Sequence, residues 1–198
     1  MNKINSIIYK NLIKNKNMIT TSDVLKLGFS KQTLVNYVKN GLLERVRQGL
    51  YILPNTVYDD MYSLMLRSDS IIFSHETALF LNNLSRRTPF MHTITLPSNK
   101  ALPHSIKNES ICFYIKPDLH KIGLIEKKNT FGNIVRCYDA ERTICDFLRT
   151  RKHCDEETVI SAIKNYAVYK KKNLNNLALY AEQFKIKSDL KKYMDVLL

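Results

Sequence analysis

TTSDVLKLGFSKQTLVNYVKNGLLERVRQGLYILP, residues 20–54, changes its periodicity after Gly41, and that change decides the fold of the first part of the chain. Thr20 or Thr21 can cap a short helix with Asp23 in its first turn and Val24, Leu25 and Leu27 apolar, stopped at Gly28. Ser30 caps a second helix in which Leu34, Tyr37 or Val38 and Leu42 recur at helical spacing; Asn40-Gly41 ends it. Two short helices joined by a Gly-containing turn make a helix-turn-helix. Beyond Gly41, Leu42–Val46 and Leu50–Leu53 are β-prone runs flanking Arg47-Gln48-Gly49, which predicts a hairpin with a basic loop. The expected unit is a winged helix-turn-helix.

With Leu34, Val38 and Leu42 turned inward, Lys31, Gln32, Thr33, Asn36 and Lys39 are left to solvent. Such side chains donate to phosphates and read base edges in the major groove. Arg45, Arg47 and Gln48 on the wing are placed to reach the backbone or an adjacent minor groove, and Thr20, Thr21 and Ser30 complete the predicted DNA-binding set. An ordinary solvated helix face is the competing explanation. Against it, no acidic residue interrupts Ser30–Leu43, and charge, helix order and wing agree.

The whole chain of 198 residues carries 31 Lys and Arg against 18 Asp and Glu. Residues 1–53 hold nine basic and two acidic side chains, so charge density peaks on the segment already read as a DNA binder. The basic residues alternate with a regular apolar pattern, which argues against a basic tail or a membrane-surface helix. No apolar run approaches a membrane span and no signal-like segment opens the chain, so a cytoplasmic protein is expected. Cys112, Cys137, Cys145 and Cys154 form no CxxC pair; they are expected to be reduced, buried small hydrophobes, with no metal and no cofactor.

Residues 3–16 place Ile4, Ile7, Ile8, Leu12 and Ile13 on one stripe of an amphipathic helix that backs the motif. Pro54-Asn55 sets the expected boundary between a winged helix-turn-helix domain, 1–54, and a second domain, 55–198. In the latter, helices are predicted over Tyr58–Arg67 and Ser74–Asn82, and strands over Ile71–Phe73, Thr93–Leu96, Ile111–Ile115, Ile122–Glu126 and Ile134–Tyr138, punctuated by Pro97, Pro103 and Pro117. Helical spacing returns from Asp139 to Arg149 and over Glu156–Tyr169, Leu174–Phe184 and Ser188–Leu197. The fold class is α+β: an N-terminal winged helix-turn-helix, then a mixed α/β domain with a helical C-terminus.

Catalytic chemistry has weak footholds. Asp139, Glu141 and Asp146 could bind a divalent metal as in a nuclease, but an acid in a first helical turn is favoured by the helix dipole, and Asp146 can pair with Arg142 or Arg149. His75 and Glu76 are neighbours in sequence and so do not face each other on a helix. A further basic set, Arg86, Arg87, Lys100, Lys107, Lys127 and Lys128 on predicted loops, is a candidate to extend a DNA footprint or to meet an acidic or nucleic-acid partner such as tRNA. Lys170-Lys171-Lys172 reads as a linker that complements the dipole of the preceding helix.

The wing pattern Arg47, Gly49, Tyr51, Pro54, followed by SHETALFLNNLS, HTITLP and IVRCYDAERTICDFLRTR, resembles the AbiEi antitoxins of bacterial abortive-infection, or type IV toxin–antitoxin, systems; the likeness runs from about Thr20 to Arg151. That resemblance implies phage defence by a two-part protein. Its winged helix would repress its own operon at promoter inverted repeats, and its C-terminal domain would counteract a nucleotidyltransferase-like toxin without a tight complex. It further implies a monomer in solution that binds double-stranded DNA in several copies. A stand-alone winged-helix regulator and a DNA-targeted, metal-dependent nuclease are the alternatives.

Overall fold

A computed structural model describes residues 3–102 and 104–197, so Pro103 lies outside the described residues. The chain divides into two compact units, Met1–Asp60 and Met61–Leu198, where the sequence reading places the boundary at Pro54-Asn55. The architecture is α+β, with helices and two sheets.

The first unit runs α1 (Ser6–Lys14), β1 (Met18–Thr20), α2 (Thr21–Lys26), α3 (Lys31–Lys39), β2 (Glu44–Arg47) and β3 (Leu50–Ile52). Asn5 caps α1 by accepting from the Ile7 amide. Ile8 and Leu12 are buried, but Ile7 and Ile13 are half exposed, so the predicted apolar stripe is narrower than expected. The strand β1 is new relative to the sequence reading: it pairs antiparallel with β3, which pairs antiparallel with β2, giving the order β1-β3-β2. Three residues that end in a helix cap carry no period of their own. Ile8, Leu12, Ile19, Val24, Leu34, Leu43 and Tyr51 form the core. The arrangement is compatible with a winged helix-turn-helix.

The second unit holds α4 (Asp60–Met65, starting at the boundary), β4 (Ile72–Phe73), α5 (His75–Leu81), β5 (His92–Pro97), α6 (His104–Glu109), β6 (Ser110–Ile115), α7 (Pro117–His120), β7 (Leu124–Lys128), β8 (Ile134–Tyr138), α8 (Ala140–Arg149), α9 (Glu156–Ala167), α10 (Leu174–Gln183) and α11 (Lys187–Leu197). The predicted strands and long helices are present; α6 and α7, each too short to show a period, are additions. The five strands are ordered β6-β5-β4-β8-β7, with β4–β8 and β5–β6 parallel and the other pairs antiparallel. Phe73, Ile94 and Cys137 fall in register, so they share a face with Leu96 and Val135 and pack with Met61 and Leu64 of α4 and Ile106 of α6. A separate core joins Leu79 of α5 to α8, α9, α10 and Leu190 of α11.

Helix α8 is the centre of that second core. Every residue from Ala140 to Leu148 is buried, including Glu141, Arg142 and Asp146, so the helix is enclosed on all sides. Burying charge is costly unless each group is hydrogen-bonded, and here each of the three is, with Arg142 Nη2 the one buried side-chain atom of theirs that lacks a partner among the described residues. Arg142 donates from Nε to Asp146 at 3.0 Å and from Nη1 to the carbonyls of Leu119 and Ile122, with its guanidinium between the Tyr138 and Phe184 rings. Glu141 accepts from the Tyr166 hydroxyl and the Asn173 amide. Gly123 packs against this point: its φ is +72°, and a Cβ there would sit 2.6 Å from the Cβ of Arg142.

Candidate nucleic-acid interface

Three local features orient the exposed face of the first unit. Thr20 caps α2 through a reciprocal pair: its Oγ1 accepts from the Asp23 amide while the Asp23 carboxylate accepts from the Thr20 amide and hydroxyl. The Thr21 amide donates to the Gly49 carbonyl at 2.9 Å, tying the start of α2 to the wing turn. The Tyr37 hydroxyl, on the inner side of α3, accepts from the Asn5 amide and so holds α3 to the start of α1.

With Leu34 buried and Tyr37 and Val38 half-buried, α3 exposes Lys31, Gln32, Asn36 and Lys39 and leaves Thr33 partly covered, as the spacing predicts. Gln32 Nε2 donates to Asn36 Oδ1 at 3.1 Å, which sets the two amides side by side along the helix. The Ser30 and Thr33 hydroxyls are 3.4 Å apart at its start. On the wing, Arg45 and Gln48 are exposed, and Arg47 is half-buried at a bulge where the β2–β3 register shifts. Among the described residues Lys31, Lys39 and Arg45 are in no ion pair. Thr20 is placed differently from its companions, since its hydroxyl is engaged by the cap.

The second basic set separates in the structure. Arg86, Lys127 and Lys128 line one groove of about 800 Å³ together with Asn83, Thr130 and Phe80. Arg87 lines a different groove, of about 470 Å³, that includes Glu76, Asp155 and Glu157. Lys127 and Lys128 lie on strand β7, the edge of the sheet, and Lys107 lies in α6, so the expectation of loops is corrected for these three. Strand β7 begins and ends later than the predicted Ile122–Glu126 because Gly123 takes a turn conformation ahead of it.

The carboxylates weighed for metal chemistry are all engaged by protein donors. Asp139 caps α8, accepting from the Arg142 amide and the Tyr180 hydroxyl, and burial raises its pKa. Asp146 accepts from both Arg142 and Arg149. His75 is buried, stacked on Phe113 at 3.9 Å, and hydrogen-bonded to the Ser74 and Thr150 hydroxyls; desolvation lowers its pKa to about 4. Glu76 is exposed, so these two do not form an acid–base pair. No group of three or more metal-ligating side chains occurs among the described residues. Cys137 and Cys145 are buried thiols whose pKa is pushed up to about 12 by desolvation; Cys112 and Cys154 are half-buried, and all four are free. Lys172 Nζ donates to the Ala167 carbonyl at the end of α9, as a cation favoured by the helix dipole would. No helix among the described residues is long and apolar enough to cross a membrane.

Residues 7–54 match a family model described as a transcriptional regulator, AbiEi antitoxin, which bears out the resemblance for the first unit. No curated protein matches the chain. Among solved structures, the chain is similar to the RV2827C protein from Mycobacterium tuberculosis, at 12% identity and a TM-score of 0.63, over 88% of this chain and 70% of that one. At that identity the likeness is one of fold.

Proposed function

We propose that the protein is an antitoxin and autoregulator of the AbiEi kind. In this reading the first unit is a winged helix-turn-helix that binds double-stranded DNA at inverted repeats in its own promoter, with α3 in the major groove and the β2–β3 wing beside it. The second unit counteracts a cognate nucleotidyltransferase-like toxin without forming a tight complex, as part of a phage-defence operon in the cytoplasm. The free protein is a monomer that occupies DNA in several copies, and neither unit is an enzyme.

The observation that carries this reading is the exposed, acid-free face of α3 within a segment that matches a regulator family model. Lys31, Lys39 and Arg45 contact phosphates, while Gln32 and Asn36, whose amides form bidentate pairs with adenine edges, read bases. The second unit carries a basic groove of its own, Arg86–Lys127–Lys128, suited to an acidic or nucleic-acid partner. Fluorescence anisotropy with the DNA upstream of the gene tests the first half: undiminished binding by Lys31→Ala combined with Arg45→Ala would remove the assigned surface. For the second half, the full chain bearing those two substitutions should still rescue cells that express the neighbouring toxin. Loss of rescue with normal protein levels would mean that protection needs the DNA-binding face.

A further inference from the structure

We propose that the second unit also contains a pocket for a small phosphorylated ligand with an apolar body, of the nucleotide class. The pocket is an open cleft of about 490 Å³, a volume within the range of ordinary small-molecule sites. Three cations reach it from three places: Lys116, the residue before α7, Arg149, the last residue of α8, and Lys185, just beyond α10. Tyr114, Leu119 and Phe184 supply an apolar wall, and no Asp or Glu among the described residues lines the space.

The charge at this place is not cancelled from beneath. Asp146 is shared between Arg142 and Arg149, so one carboxylate faces two guanidiniums. Arg149 spends Nη2 on Asp146, while its Nε is buried with no hydrogen-bond partner among the described residues. That Nε is closed off from the pocket, so Arg149 contributes its charge to the space rather than this hydrogen bond. Lys116 and Lys185 are exposed and in no ion pair among the described residues. The pocket therefore gathers a net positive charge against a wall of low polarity, where attraction for a phosphate is strong.

The backbone at Lys185 adds a second, independent observation. The Lys185 amide donates to the Glu182 carbonyl and the Ile186 amide to that of Ala181, the pattern of a helix end whose next residue is left-handed. Lys185 has φ +57°, where glycine is the least costly residue. That conformation fixes the direction in which the Lys185 stem leaves the helix end, at the rim of the cationic pocket. The neighbouring concavities differ: the groove beside Arg87 includes three acids and repels phosphate, and the Arg86–Lys127–Lys128 groove is larger and lies on the edge strand. The pocket stands independently of the DNA-binding reading.

Titration calorimetry of the full chain with AMP and with inorganic phosphate tests this. AMP should bind saturably at one site and at least tenfold more tightly than phosphate, because only AMP meets the apolar wall. Lys116→Glu and Lys185→Glu should each weaken AMP at least tenfold, whereas Lys127→Glu with Lys128→Glu should leave it unchanged. Lys185→Gly relieves the backbone, so it should raise the Tm while weakening AMP. No AMP heat at millimolar concentration, phosphate binding as tightly as AMP, or equal weakening by the Lys127/Lys128 variant would each overturn the proposal.

Discussion

Arg142 Nε and Asp146 Oδ2 lie 3.0 Å apart one helical turn from each other, and neither side chain exposes any surface. Removing one partner of a buried pair strands the other charge in a medium that cannot solvate it. Asp146→Ala should therefore destabilise the second unit by about 3–5 kcal/mol in urea unfolding. Arg149→Ala, which removes a partly exposed partner and leaves the Arg142 pair intact, should cost about 1 kcal/mol or less. Equal losses for the two variants would contradict the central role given to Arg142.

Gly123→Ala should cost about 2–4 kcal/mol, since it adds a left-handed strain to a collision with the Arg142 Cβ. Gly132, at φ +77° with nothing near its missing Cβ, provides the comparison. Gly132→Ala should lose only the backbone part, about 1 kcal/mol, in the same thermal melts.

His75 sets a pH dependence whose sign follows from its burial. Its folded pKa, near 4, lies below the ordinary 6.5, so the unfolded chain takes up the proton first as pH falls. The contribution is complete above pH 6.5, declines from 6.5 to 4, and amounts to on the order of 3 kcal/mol. Burial lowers the pKa of His120 as well, which adds to the same slope. His75→Asn, a residue that tolerates the left-handed φ of +46° at this position, should be less stable at pH 7 yet flatter between pH 6.5 and 4. A slope as steep as the parent's would assign the acid sensitivity elsewhere.

Thr20 and Lys31 should respond oppositely to substitution. Thr20→Ala removes the reciprocal cap and should cost about 1 kcal/mol of stability, recovered by Thr20→Ser, with DNA affinity per folded molecule unchanged. Lys31→Ala should leave the melting curve alone and lower the salt dependence of DNA binding by about one unit of slope, from a parent value of about −4 to −5 for roughly five phosphate contacts. Salt titrations by anisotropy at matched folded fractions separate the two.

How much of this was legible in residues depends on segment length. Helix α3 and the wing announce themselves because the helical spacing through Leu34 stops at Gly41 and the Leu50–Ile52 run beyond it is β-prone. Strand β1 and helices α6 and α7 were hidden because each spans fewer than two of its own periods. The enclosure of α8 was hidden for another reason. Spacing foretells the pairing of Asp146 with Arg142 and Arg149, but only the tertiary partners Leu119, Ile122, Tyr166 and Asn173, far away in sequence, turn the charged residues inward. The grouping of Arg86 with Lys127 and Lys128 likewise depends on the placement of edge strand β7.

The two buried thiols have a practical consequence. Cys137 in β8 and Cys145 in α8 stay protonated and shielded at neutral pH, so a thiol reagent modifies them only after the surrounding structure parts. Their labelling rates, set against the faster reaction of the more accessible Cys112 and Cys154, time how often sheet and central helix come undone. The protein thus carries its own clock for the opening of its second unit.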